Sequence, residues 1–175
     1  MGNLKTKRDD EPKTAICKDL IVVLDETFNR KTIETVAKNI YALGAEKLYL
    51  VDRRDAVTSH LEETICMKKK NPLMDPTIKW SFVKRFTSAE ECMDHLKKKK
   101  YTSVAISPYV EGKTNVLLHE GDFIQKRLAV WFGKVSDLAI ESYEACVSID
   151  MRENHKYLDF DAQIAIVLYE IVKQR

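Results

Sequence analysis

Two short apolar runs in this 175-residue chain end on residues suited to a ligand cleft, Phe132-Gly133 and Ile149-Asp150-Met151. The first run is LAVWFG and the second is CVSIDM. Helix-patterned sequence follows each of them, KVSDLAIESYEA after the first and RENHKYLDFDAQIAIVLYEIVKQR after the second. Two buried strands, each followed by a turn and a helix, form an α/β unit. Open α/β sheets bind ligands beyond the carboxyl ends of their strands. Main-chain N–H and C=O groups are available there, and a glycine lets a ligand approach the backbone closely. The chemistry expected at these two ends is therefore recognition of a small molecule by main-chain atoms. Arg53-Arg54 directly follow a third apolar run, KLYLVD, and fall on the same sheet edge. Phosphate contacts need only such point charges, so this pair is a candidate RNA-binding footprint. Lys97 to Lys100 form another basic run, but at the C-terminus of a predicted helix, where the dipole favours cations without any ligand.

Other arrangements are weaker. Cys92 and His95 are three apart on a predicted helix and would give two metal ligands, yet no second Cys/His pair completes a site, so no metal is expected. Gly112-Lys113-Thr114 resembles the tail of a phosphate-binding loop, but Ser107 stands where the leading glycine belongs. No G-x-G-x-x-G occurs, which argues against a dinucleotide enzyme. His155 and Lys156 fall in a loop and are expected to be solvated. The net charge of +2 is too mild to imply nucleic-acid binding by itself. No apolar run reaches the ~18 residues of a membrane span. The four cysteines, none in C-x-x-C spacing, are expected to be reduced thiols of a cytoplasmic protein.

The last stretch, from Leu128 to Arg175, resembles the SpoU/TrmH branch of the SPOUT RNA methyltransferases. Ile149, Met151, Leu158, Ala165, Ile166, Leu168, Tyr169 and Glu170 keep the register of that family's final motif without a gap. Val130 to Gly133 matches its preceding strand motif. Upstream, aligning on Ala42-Leu43-Gly44-Ala45 puts Thr32 where the family has Asn and Lys38 where it has Arg. Val135, Tyr157 and Asp159 also replace the family's polar choices, and Asp150 and Glu153 stand for its Pro and Gly. The resemblance implies S-adenosylmethionine as cofactor, contacted at Gly133, Ile149 and Leu158 with Met151 nearby. It implies Lys38 as the catalytic cation and tRNA or rRNA as substrate, methylated at a ribose 2′-hydroxyl. It implies a homodimer and a C-terminal trefoil knot. The changed polar residues leave a second possibility open, a knotted RNA-binding or dimerisation module without catalysis. An unrelated α/β small-molecule binder is a third.

The elements that must position these residues follow from periodicity. Residues 1–16 form a charged, polar tail; Met1 to Thr6 also fits the short myristoylation pattern, but one acyl chain would anchor only marginally. Residues 17–175 are expected to be one domain. DLIVVLD (19–25) predicts a buried strand, Lys31 to Leu43 a helix capped by Gly44, and KLYLVD (47–52) a second strand. A short helix is expected over 56–67 and a strand with one wet face over 77–84. Ser88 to Lys99 carries a capping box, SVAIS (103–107) predicts a strand, and 108–123 a polar loop. The final helix starts near Asp159, which is expected to cap it. Its residues 164–168 are apolar on every face, so it should be buried on several sides. The expected fold is α/β, a mostly parallel sheet with helices on both faces.

Overall fold

The computed structural model describes residues 17–25, 30–53, 82–107, 114–124, 127–133, 142–151 and 158–175. Among these, strands β1 (Cys17–Asp25), β2 (Ala45–Val51), β3 (Val83–Phe86), β4 (Thr102–Ile106), β5 (Asn115–Leu117), β6 (Leu128–Gly133) and β7 (Ala145–Ser148) form one sheet. Its order is β3-β2-β1-β6-β4-β7-β5, and every pairing is parallel. The late strands are inserted between early ones, β6 between β1 and β4, and β7 between β4 and β5.

Helices α1 (Arg30–Ala42) and α3 (Phe160–Gln174) cover one face of the sheet, and α2 (Ala89–Lys98) covers the other. On the first face Leu20, Val22, Leu24, Val130 and Phe132 pack with Val36 and Ile40 of α1 and Ile164, Val167 and Leu168 of α3. On the second, Ile21, Val23, Tyr49 and Trp131 pack with Cys92, Met93 and Leu96 of α2. Burial on both faces is why the strands read as unbroken apolar runs rather than as alternating ones.

The caps of α1 and α2 follow their sequence signals with one change. Gly44 adopts φ +86 and closes α1 with an N–H bond to the Tyr41 carbonyl at 3.1 Å. Ser88 Oγ accepts from the Glu91 N–H at 3.2 Å, as a capping box requires. Glu91 reaches one residue further back than expected, accepting from both the N–H and the hydroxyl of Thr87.

Several expectations are corrected. The polar loop over 108–123 contains β5 and a 3-10 turn, Leu118–Glu120. β5 is only Asn-Val-Leu, too short for a period-2 signal, and it forms because β7 offers it a partner. β7 stops at Ser148, not at Met151, because its neighbours run out: Ile106 pairs with Val147 and Leu117 with Ser148. Asp159 occupies the N-cap position of α3, but its carboxylate makes no capping bond; the Gln163 side chain ties back instead, donating to the Leu158 carbonyl at 2.7 Å. α3 is not buried on several sides within one chain. Ile164, Val167, Leu168 and Ile171 are sealed against the sheet and α1, whereas Ile166 is 41% and Tyr169 62% exposed. Only Lys84 and Val83 of the 77–84 strand fall in β3 among the described residues. The tail 1–16, the 56–67 helix, Gly112-Lys113, the region 134–141 and His155-Lys156 lie outside them.

Candidate functional site

All strands are parallel, so all their carboxyl ends lie on one edge of the sheet. Gly133 ends β6 opposite Asp25, the last residue of β1. Its φ is +120, and a Cβ there would stand 2.2 Å from the Asp25 carbonyl oxygen. The chain can turn out of β6 against β1 only because this residue has no side chain. Ile149 is the first residue beyond β7, and the Ser107 N–H donates to the Val147 carbonyl between them at 3.1 Å. β4 separates β6 from β7, so Gly133 and Ile149 stand about 10 Å apart, two strand spacings. Met151 and Leu158 are half-buried. An edge-to-face contact between Phe132 and Phe160, 6.1 Å between centroids, draws the start of α3, and with it Leu158, toward the end of β6.

A buried acidic row adjoins this cleft. Asp25 and Asp52 end β1 and follow β2, 2% and 3% exposed. Arg53 pairs with Asp25 at 3.0 Å, and Arg85 stands 3.9 Å from Asp52. A buried carboxylate is costly unless a partner charge meets it, and each aspartate has an arginine. Arg53 is therefore held at the edge by Asp25 while 37% of its side chain remains exposed. It also faces the start of α2. There Glu90 is held below the usual carboxylate range first by its own main-chain N–H, then by Ser88, with Arg53 adding to the effect. Burial, then the negative charge of Asp25, pushes the Tyr143 hydroxyl up, and the same two causes in the same order raise the Cys92 thiol. Cys92 is thus a core residue, not a nucleophile, and His95 turns away from it toward Tyr49 and Lys84.

The structure sets Gly133 and Ile149 at the carboxyl edge, with Arg53 paired to Asp25 there. Lys38 lies on the exposed side of α1, away from the Ile33, Val36 and Ile40 stripe that meets the sheet. Arg54 lies outside the described residues. Sequence reasoning missed Asp25, Asp52 and Arg85. The signal for the aspartates was present, since both VVLD and YLVD end an apolar run on Asp. Behind β7, a groove of about 520 Å³ opens between Leu118, Ile149, Ala165, Ile166 and Tyr169, with Leu43 at its rim.

No protein-family model matches the chain, and no curated protein does. Solved structures do. The TrmH/SpoU tRNA modifying enzyme of A. aeolicus superposes with a TM-score of 0.65 at 20% identity, over 90% of this chain and 76% of that one. An RNA 2′-O ribose methyltransferase gives 0.65 at 19% identity, over 98% of this chain and 61% of its own length. The SpoU methyltransferase AviRb from Streptomyces viridochromogenes, in complex with AdoMet, gives 0.60 at 19% identity, over 88% of this chain and 59% of its own. The chain has the SpoU/TrmH fold. It spans about three fifths of the length of the latter two enzymes.

In this SpoU/TrmH-type fold, the contact of Gly133 with Asp25 is the tightest fixed point on the carboxyl edge. Gly133→Ala must push the two strand ends apart or force a strained backbone, at a cost of about 2–5 kcal/mol. Urea unfolding of the purified variant measures it, and a midpoint equal to wild type would show that the β1–β6 approach is looser than described.

Proposed function

We propose that the chain is an S-adenosylmethionine-dependent RNA ribose 2′-O-methyltransferase acting on tRNA or rRNA in the cytoplasm. The observation that carries this is the pair of strand ends, Gly133 and Ile149, flanking β4 in a fold shared with AdoMet-bound RNA methyltransferases. S-adenosylmethionine, when bound, supplies a sulfonium methyl group. Gly133, Ile149, Met151 and Leu158 hold it through main-chain atoms, which is why altered side chains at neighbouring positions are compatible with binding. The Leu158 carbonyl already accepts from Gln163, which fixes its direction while leaving a second lone pair. Arg53, aimed by Asp25, and Arg54 contact the RNA backbone. Lys38 supplies positive charge near the attacking hydroxyl, by positioning and electrostatics rather than by forming a bond. Lysine keeps the charge without the two-pronged grip on phosphate that arginine provides.

The active form is a homodimer, and the C-terminal segment is threaded as the family's trefoil knot. Support for the dimer comes from α3: its exposed flank, Ile166 and Tyr169, borders the apolar groove that also contains Ile149. A second copy on this flank would bury what the single chain leaves bare. Among the described residues no helix is long and apolar enough to cross a membrane. The alternative, a module that binds RNA or dimerises without catalysis, draws on the exposure of Lys38 and on the pairing of Arg53 with Asp25.

Calorimetry separates the two. Titration with S-adenosylmethionine and with its demethylated product should give saturable, one-site binding, whereas heats of dilution alone at millimolar ligand favour the inactive module. In a methyl-transfer assay on bulk tRNA and rRNA, Lys38→Ala should lower the rate by about 10²-fold or more, the size expected when a charge that stabilises the transition state is removed, with cofactor affinity unchanged. Equal transfer by the variant removes Lys38 from the mechanism.

A further inference from the structure

On the face opposite α1 and α3, three lysines from two elements converge on one histidine. Lys84 of β3 donates to His95 Nε2 at 3.1 Å and lies over the Phe86 ring, 4.9 Å from its centroid. Lys98 at the end of α2 and Lys99 just beyond it add their charge from the other side. We propose that Lys84, His95, Lys98 and Lys99 form a second phosphate-binding patch for the RNA backbone, remote from the strand-end cleft. The proposal rests on RNA being the substrate.

The cluster is built for an anion. Like charges placed side by side repel, and among the described residues none of the three lysines has a carboxylate partner. The acid that faces them, Glu91, accepts two bonds from Thr87 and keeps its charge, held below the usual carboxylate range first by the Thr87 N–H, then by its hydroxyl, with Lys84 and His95 adding to the effect. From β2, Tyr49 presents its hydroxyl 3.5 Å from His95 Nε2, and burial first, then neighbouring groups, push that hydroxyl up to about 12, so it stays neutral. The cation–π contact with Phe86 fixes the Lys84 ammonium before any ligand arrives. The Lys84 ammonium beside the ring disfavours a proton on His95. The histidine's pKa lies below the ordinary 6.5, through burial first and then Lys84, Lys99 and Lys98. α2 starts at the carboxyl edge near Arg53 and runs back across the sheet, about 15 Å for ten residues. Its first turns carry Glu90, Glu91 and Asp94, so the basic end at Lys98 and Lys99 is a site separate from Arg53, not a continuation of it. A phosphate between the lysines and the ring offsets the lysines' share of that depression. Binding then favours proton uptake, so affinity rises as pH falls toward the His95 pKa.

Fluorescence anisotropy with unfractionated tRNA tests this, alongside calorimetry with S-adenosylmethionine on the same samples. The triple variant Lys84→Gln, Lys98→Gln, Lys99→Gln should bind RNA about tenfold or more weakly, and its log–log salt slope should fall by about 2, roughly 0.7–0.9 for each phosphate no longer neutralised. Cofactor affinity should not change, which also shows that the variant is folded. Wild type should bind a few-fold more tightly at about pH 5.5 than at 7.5, and His95→Gln should lose that part of the pH dependence. Equal RNA affinity in wild type and the triple variant overturns the patch alone. No RNA binding by wild type overturns the patch together with the RNA reading. Capture by phosphatidylserine vesicles through these lysines, with RNA affinity unchanged, assigns them to a membrane surface and overturns it as well.

Discussion

The arrangement depends on how closely β6 approaches β1. The strands pair in register from Leu20 with Leu128 to Asp25 with Gly133, and at the last rung the two backbones meet without room for a Cβ. That rung fixes where the chain leaves β6. It also fixes β4, which pairs with the other side of β6, and through β4 it fixes β7. The edge on which Gly133 and Ile149 lie is therefore set by one glycine and a run of parallel hydrogen bonds. A sheet buried on both faces resists sliding, because a one-residue slip would turn each strand's side chains toward the wrong helices.

Charge at the edge is organised by the same rung. Asp25 sits under Gly133, sealed from water, and its charge is met by Arg53. Asp52 and Arg85 repeat the pattern one strand over. Two arginines are thereby each held over a buried carboxylate, Arg53 next to the end of β1 and Arg85 on the outer strand β3. The guanidinium of Arg53 is oriented rather than loose, which lowers the entropy cost when it meets a phosphate but also tempers its field. On the far side of α2 the opposite design holds, with lysines crowded together and their acid neighbour already engaged. α3 adds a third kind of surface: one side locks into the core through Ile164, Val167, Leu168 and Ile171, and the other leaves Ile166 and Tyr169 bare.

Much of the fold was legible in the residues. DLIVVLD, KLYLVD, SVAIS and LAVWFG are continuous apolar runs, and each lies in a strand buried on both faces. Gly44 and Ser88 marked helix ends by chemistry that the structure repeats. Elements whose existence depends on a neighbour were not legible. β5 has three residues and forms because β7 is beside it; β7 ends at Ser148 because β4 and β5 end there, although Ile149 would continue the apolar run. The one-sided burial of α3 was hidden because a helix apolar on every face does not state which faces its own chain covers. At the site, Gly133 was legible as a small residue at a strand end, but the pairings of Asp25 with Arg53 and Asp52 with Arg85 needed the strand order. So did the exposure of Lys38, since sequence register places it on α1 without saying which way that face looks.

If main-chain atoms at Gly133, Ile149 to Met151 and Leu158 hold a methyl donor, hydrogen–deuterium exchange with and without S-adenosylhomocysteine reads it out at those amides. Slowed amide exchange should concentrate at the carboxyl ends of β6 and β7 and at the segment entering α3, with the Lys84–Lys99 side of the sheet unchanged. Slowing confined to the Ile166–Tyr169 groove, or no slowing anywhere at saturating ligand, would contradict it.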